Sequence, residues 1–234
     1  MKTAILLRGL SRHYEKSIPL YRQLYPNADF YFHTWDIDGR RKDNTKRHSY
    51  SLDTVNYTKL VEYINPVKYK ISNYNDTLPE LESVIEKFLE QNNIKKEELV
   101  NEAYPYILNS IFCQIYSYSQ VLNLVKGSNY SNILVSRFDF FPQFKVETIN
   151  LNSVICSTPT HGESGTDSVH MFNTCNLNKM RTIYNELLDF KQKELLMIKK
   201  PGHPIFLKVE NWYYWFFDKL NLKLIPQGKG NIIR

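Results

Sequence analysis

The chain has 234 residues with 42% hydrophobic and 14% aromatic content, including 17 Tyr and 13 Phe, and a formal charge of +6. That aromatic share excludes a disordered protein, and the length suits one α/β domain with a sizeable core. With only 8 Gly and 3 Cys, neither a glycine-rich phosphate loop nor a disulfide framework is expected.

No G-x-x-x-x-G-K or G-x-G-x-x-G run occurs, and Cys113, Cys156 and Cys175 fall at unrelated spacings. A reducing compartment such as the cytoplasm is the simpler reading. The positive surplus suits a polyanionic ligand. It is spread along the chain rather than concentrated as in dedicated nucleic-acid binders, so no nucleic-acid partner is expected. The apolar start is broken by Arg8, which is too early for a secretory h-region, and no apolar run is long enough to span a bilayer.

In chain order, residues 3–7 form an apolar run ending in Arg8-Gly9 and read as a buried strand. Ile18, Leu20, Tyr21 and Leu24 give residues 14–25 a helical spacing, stopped by Pro26. Residues 29–34 alternate and read as a second strand, which completes a parallel βαβ start. Residues 36–51 are polar and basic, with Arg40, Arg41, Lys42, Lys46, Arg47 and His48. They read as a solvated loop or as a lid over a diphosphate.

A helix over 54–64 is then expected, followed by a strand over 67–72 and an amphipathic helix over 78–92. The longest helical pattern is 106–125, striped by Ile107, Ile111, Ile115, Tyr118, Leu122 and Val125, with Gly127 placed as its C-cap. Strands follow at 132–138, 153–157 and 168–173, with a loop over 158–167. Helices over 176–194 and 203–220 complete the chain. This order predicts an α/β fold with a mixed, mainly parallel sheet flanked by helices. The nucleotide-binding half covers 1–140 and the acceptor-side half 141–234.

Ligands of such sheets bind at the carboxyl ends of the strands. Asp139 follows the buried run Ile133-Leu134-Val135, where a carboxylate either holds Mg²⁺ or Mn²⁺ as a hard oxygen ligand or caps the next turn. Arg8, Ser11 and Arg12 close the first strand and suit phosphate contact over the sheet edge. Trp35 either stacks on a base or packs in the core, and Asp36 either bonds a ribose or base or begins the loop. Asp167 and His170 flank the loop before the strand at 168–173. Asp167 is the candidate acceptor base or sugar-hydroxyl partner, with a turn residue as the alternative. His203, before Pro204, either contacts metal or phosphate or caps its helix. Glu163, Glu210 and Asp218 are weaker candidates.

Several of these stretches resemble a family of glycosyltransferases from large DNA viruses, phages and bacterial surface-polysaccharide clusters. The matching runs are Ile5-Leu6-Leu7-Arg8-Gly9-Leu10-Ser11-Arg12, Phe32-His33-Thr34-Trp35-Asp36 and Val135-Ser136-Arg137-Phe138-Asp139-Phe140, with a looser match over 167–184. The resemblance implies a GT-A-like fold, a nucleoside-diphosphate sugar (UDP- or GDP-linked), a divalent cation (Mn or Mg) and a glycan or glycoprotein acceptor. It carries Arg8, Asp36, Arg137, Asp139 and Asp167 as site positions. The chain departs from the usual Asp-x-Asp motif, because Arg137 replaces the first Asp and becomes a candidate phosphate contact. Two other readings stand beside this one. A nucleotidyltransferase would want a longer glycine-rich N-terminal loop. A non-catalytic nucleotide- or glycan-binding protein could use Tyr213, Tyr214, Trp215 and Phe216, although helical aromatics are more often core.

Overall fold

The computed structural model describes residues 2–37, 57–93, 104–126, 129–146, 149–158, 168–189 and 209–232. The strands are β1 (Thr3–Arg8), β2 (Asp29–Trp35), β3 (Lys68–Ser72), β4 (Asn132–Arg137), β5 (Phe140–Pro142), β6 (Ser153–Thr158), β7 (Val169–Asn173) and β8 (Lys223–Ile232). The helices are α1 (Tyr14–Leu24), α2 (Thr58–Ile64), α3 (Tyr74–Gln91), α4 (Tyr104–Leu124), α5 (Leu177–Met180), α6 (Ile183–Asp189) and α7 (Val209–Lys219). All the strands join one sheet in the order β3-β2-β1-β4-β7-β6-β8-β5.

The first four strands in that order are mutually parallel. β7 runs antiparallel to β4 and to β6, β8 is parallel to β6, and β5 closes the edge antiparallel to β8. This is the expected mixed, mainly parallel α/β sheet with flanking helices. Strands from both halves of the chain contribute to it.

β1 is buried at all six positions. Its alternate residues serve opposite faces, as strand geometry requires. Ala4 and Leu6 belong to one apolar cluster with α3, α4, α6 and α7. Ile5 and Leu7 belong to a second with α1 and α2. β4 divides in the same way, with Ile133 and Val135 on the first face and Leu134 on the second. A strand covered on both sides must be apolar throughout, which is why β1 reads as a continuous apolar run.

The helical stripe of α4 is borne out from Ile111 on, with Ile111, Ile115, Tyr118, Leu122 and Val125 all buried in the first cluster, while the Ile107 side chain lies outside what is described. Gly127, assigned as its C-cap, lies outside the described residues. Among the described residues, Arg181 donates to the carbonyls of Leu122 (3.4 Å) and Val125, placing a cation at the helix C-terminus.

Three expectations need correction. The helix expected over 176–194 is broken within the described residues into a 3₁₀ turn (Thr174–Asn176), α5 and α6. Arg181, between α5 and α6, is the residue that caps α4. The short strand β5 was not expected at all. Nor was β8, whose Pro226, Gly228 and Gly230 hide any apolar alternation. It exists because β6 and β5 supply its hydrogen-bond partners on either side.

Leu6 is fully buried at the centre of β1. Replacing it with Ala should lower unfolding free energy by about 2–5 kcal/mol. Urea denaturation checks this, and a loss below about 1 kcal/mol would show that β1 is not the packed centre.

Candidate functional site

In the parallel part of the sheet the chain moves outward from β1 to β2 to β3, then returns to place β4 on the other side of β1. The order therefore reverses between β1 and β4. A crevice forms outside the carboxyl ends of strands at such a point, because the following connections diverge. Arg8 ends β1 and Arg137 ends β4, and the two are direct partners in the ladder. Their Cα atoms are thus about 5 Å apart.

Arg137 and Asp139 are two residues apart, and Phe138 between them is buried in the opposite cluster. This leaves both charged side chains on one side. Arg137 Nε donates to Asp139 Oδ1 at 2.8 Å and Nη2 donates to Oδ2 at 2.9 Å, a two-pronged guanidinium–carboxylate pair. Arg12, on the turn after β1, reaches the same Oδ2 at 3.5 Å. The Asp139 side chain is only 5% exposed, whereas those of Arg12 and Arg137 are 25% and 21% exposed. Burial alone would raise the Asp139 pKa, but the charge and hydrogen bonds of Arg137, with Arg12 behind them, hold it below the ordinary carboxylate value. Asp139 is thus anionic at neutral pH and holds two arginines at the mouth of the crevice.

Arg8 is placed differently from the expectation. It does not lie over the sheet edge but is 1% exposed. Its guanidinium sits 5.3 Å from the ring of Tyr118 on α4 and 5.6 Å from that of Tyr213 on α7. Cation–π contacts of this kind favour a positive charge among aromatic faces. His170 packs into the same group, 4.5 Å from Tyr213 and 4.9 Å from Phe217. It is wholly buried, so it is part of this aromatic wall and not a group at the crevice mouth.

The turn after β1 is fixed from below. Gly9 has φ near +90°, a conformation that L side chains rarely adopt. Its amide donates to Ser117 Oγ at 2.9 Å. Ser117 Oγ also lies 2.7 Å from His33 Nδ1, and His33 Nε2 lies 2.9 Å from Ser72 Oγ. The line ties the ends of β1, β2 and β3 to α4. Burial, reinforced by the nearby Lys70 charge, pushes the His33 imidazole down to about 3, so the ring is neutral. A neutral ring donates from one nitrogen and accepts at the other, which suits two serine partners.

Trp35 takes the packing alternative. It is 3% exposed, stacked on Tyr116 with centroids 5.4 Å apart, and edge-on to His33 and Tyr74. No base can stack on it in this arrangement. Asp36 does not simply begin a loop. Its Oδ1 accepts from the Tyr74 amide at 2.8 Å, meeting a donor in the first turn of α3 that Asn73 cannot also satisfy. Ser11 sits half-buried on the β1–α1 turn. Tyr213, Trp215 and Phe216 are core residues, while Tyr214 is exposed. Asp218 is exposed on α7. Asp167, His203, Glu163 and the basic stretch 40–48 lie outside the described residues. Ser168, directly after Asp167 in the chain, accepts the Arg137 amide with its carbonyl at 3.1 Å.

The sequence reading missed Ser72, Ser117 and Tyr118 as site-supporting residues. Ser117 lies beside Tyr118 in an aromatic helix, where apolar periodicity draws attention away from a small hydroxyl. The one available signal was a serine and a histidine in otherwise apolar elements.

The resemblance implies a divalent cation on Asp139. The described residues do not fit one. No group of three His, Cys, Asp or Glu side chains converges among them. Both oxygens of Asp139 face guanidinium groups. A divalent ion about 4 Å from one guanidinium is repelled by on the order of 8 kcal/mol at an effective dielectric near 20. Asp139 and Arg137 thus form a paired unit, with Arg12 beside it.

Neither a family model nor a curated protein sequence matches the chain. Among solved structures, mouse xyloside xylosyltransferase 1 in its apo form is similar at 10% identity, over 97% of this chain and 85% of that one, with a TM-score of 0.48. A transferase carrying two cysteine-to-serine substitutions is similar at 10% identity, over 98% and 93%, with a TM-score of 0.42. Both likenesses are too distant to bear on the chemistry, which rests on the site's own geometry.

Because His33 is held neutral, its folded pKa lies below the unfolded value of about 6.5. Its share of stability is present above pH 6.5 and is lost as pH falls toward 3. Between pH 6.5 and 5 the loss should be about 1.6 kcal/mol. His33→Gln, measured by urea denaturation at both pH values, should remove that part of the slope. An unchanged slope would mean that His33 is not the buried neutral group described here.

Proposed function

We propose that the chain is a glycosyltransferase with a GT-A-like fold, moving a sugar from a UDP- or GDP-linked donor to a glycan or glycoprotein acceptor. The observation that carries this reading is the arginine cluster at the switch point of the parallel sheet. Arg12 and Arg137 converge there on one buried carboxylate, and Arg8 ends the neighbouring strand. A diphosphate leaving group needs positive charge that is already oriented, and guanidinium forks supply it without reorganisation. The sequence resemblance supports the reaction class.

In this reading Arg12 and Arg137 contact the diphosphate, and Arg8 adds a fixed charge from within its aromatic wall. Asp167 is assigned as the acceptor base. The Arg137 amide bond to the Ser168 carbonyl supports that assignment, because it ties the chain next to Asp167 to the end of β4.

Two measurements test the proposal. UDP or GDP should raise the melting temperature of the protein, and Arg137→Ala should weaken that nucleotide's affinity by roughly tenfold or more. Unchanged affinity in Arg137→Ala would place the nucleotide elsewhere. With a donor identified, Asp167→Asn should lower kcat by about 10²–10⁴ while nucleotide binding persists. Full transfer by that variant would remove Asp167 from the mechanism. Donor binding without any transfer to glycans would favour the non-catalytic alternative.

A further inference from the structure

We infer that the donor diphosphate is bound without a divalent cation, and that Asp139 is a positioning residue that holds Arg137 and Arg12 in place. The inference rests on the nucleotide-sugar reading above and concerns how that donor's charge is met.

Three observations lead to it. First, the Arg-x-Asp order removes both halves of an acidic pair at once. Arg137 stands where the first Asp of such a pair would be, and its fork then takes both oxygens of the second at 2.8 and 2.9 Å. Second, the remaining approach to Oδ2 is shared with Arg12 at 3.5 Å. The carboxylate therefore faces cations and offers no open pair of oxygens to a third. Third, the two arginines are the accessible members of the trio. Their side chains are 25% and 21% exposed, against 5% for Asp139. An anion arriving from solvent thus meets the arginine side chains before it meets the carboxylate. The buried acid restrains two long side chains that would otherwise lose rotamer freedom on binding.

A metal site on a strand end works the other way round. Its carboxylates point outward, and the cation bridges them to the phosphate oxygens. Here the cationic side chains are the more exposed ones and belong to the protein. Asp139 acts through Arg12 and Arg137, which is why it is assigned to positioning.

The test is isothermal titration of the full chain with UDP and with GDP, in EDTA and again in Mn²⁺. One of the two should bind, with dissociation constants in EDTA and in Mn²⁺ that agree within about twofold. Asp139→Asn keeps the side-chain shape and removes the charge. It should weaken binding by roughly tenfold under both conditions. Arg137→Lys, which keeps the charge and loses the fork, should weaken it similarly. Mn²⁺ titrated alone, followed by its electron paramagnetic resonance signal, should remain free in the presence of wild-type protein.

Binding that appears only with Mn²⁺ would overturn the inference while leaving the nucleotide-sugar reading intact, and loss of that Mn²⁺-dependent binding in Asp139→Asn would establish Asp139 as a metal ligand. Absence of binding by either nucleotide under both conditions overturns that reading and this inference with it. Circular dichroism establishes whether the variants fold. The wild-type comparison between EDTA and Mn²⁺ decides the matter even if they do not.

Discussion

The six residues of β1 have no exposed face and no free edge. Along one edge the strand pairs with β2 and along the other with β4, in parallel register on both sides. Above and below it lie two separate apolar clusters. This double burial excludes polar side chains from the middle of the strand, so the first polar residue it can carry is at its end. That residue is Arg8, and the turn that follows begins with Gly9. The crevice thus begins at Gly9, where the chain leaves the sheet, directly after the still-buried charge of Arg8.

The same constraint acts on β4, where Arg137 is the first residue after Ser136 to escape full burial. Below these ends the supports are neutral and local. His33, kept uncharged by its surroundings, joins Ser117 and Ser72 and so ties three strand ends to α4. Above them the interactions are ionic and partly open to water. The Arg137–Asp139–Arg12 group spans that boundary, with its acid buried and its two arginine side chains partly exposed. A neutral floor under a charged rim costs little desolvation, because the one buried charge at the rim is paired. Arg8 is the exception, lodged among aromatic rings where cation–π attraction offsets part of the cost of burial.

Much of the fold was legible because it follows from periodicity. β1, α1 and β2 announce themselves by an unbroken apolar run, a helical spacing and an alternation, and each occurs within a residue or so of its expected bounds. β8 was not legible. It carries Pro226 and two glycines, and its strand state comes from the partners β6 and β5. The long helix expected after β7 was overread, since Arg181 continues an acceptable helical pattern while its side chain is committed to the end of α4. At the site, the strand-end placement of Arg8, Arg137 and Asp139 was correctly read, but who pairs with whom was not. Trp35 and Asp36 illustrate the difference, because both lie at a strand end and both are engaged by their neighbours, Tyr116 and the first turn of α3.

Sequence alone therefore determined the order of elements from β1 to β4, the apolar identity of the central strands and the strand ends at which charge becomes permissible. These are local properties, set by side-chain period and by the exclusion of polar groups from a doubly covered strand. Tertiary structure alone decided that β4 returns beside β1, that Arg8 turns inward between Tyr118 and Tyr213, and that Arg137 and Arg12 share the carboxylate of Asp139. The physical reason is that a charge takes its meaning from what surrounds it within a few ångströms. Residues 8, 12, 118, 137, 139 and 213 are brought within that range only when the sheet is assembled.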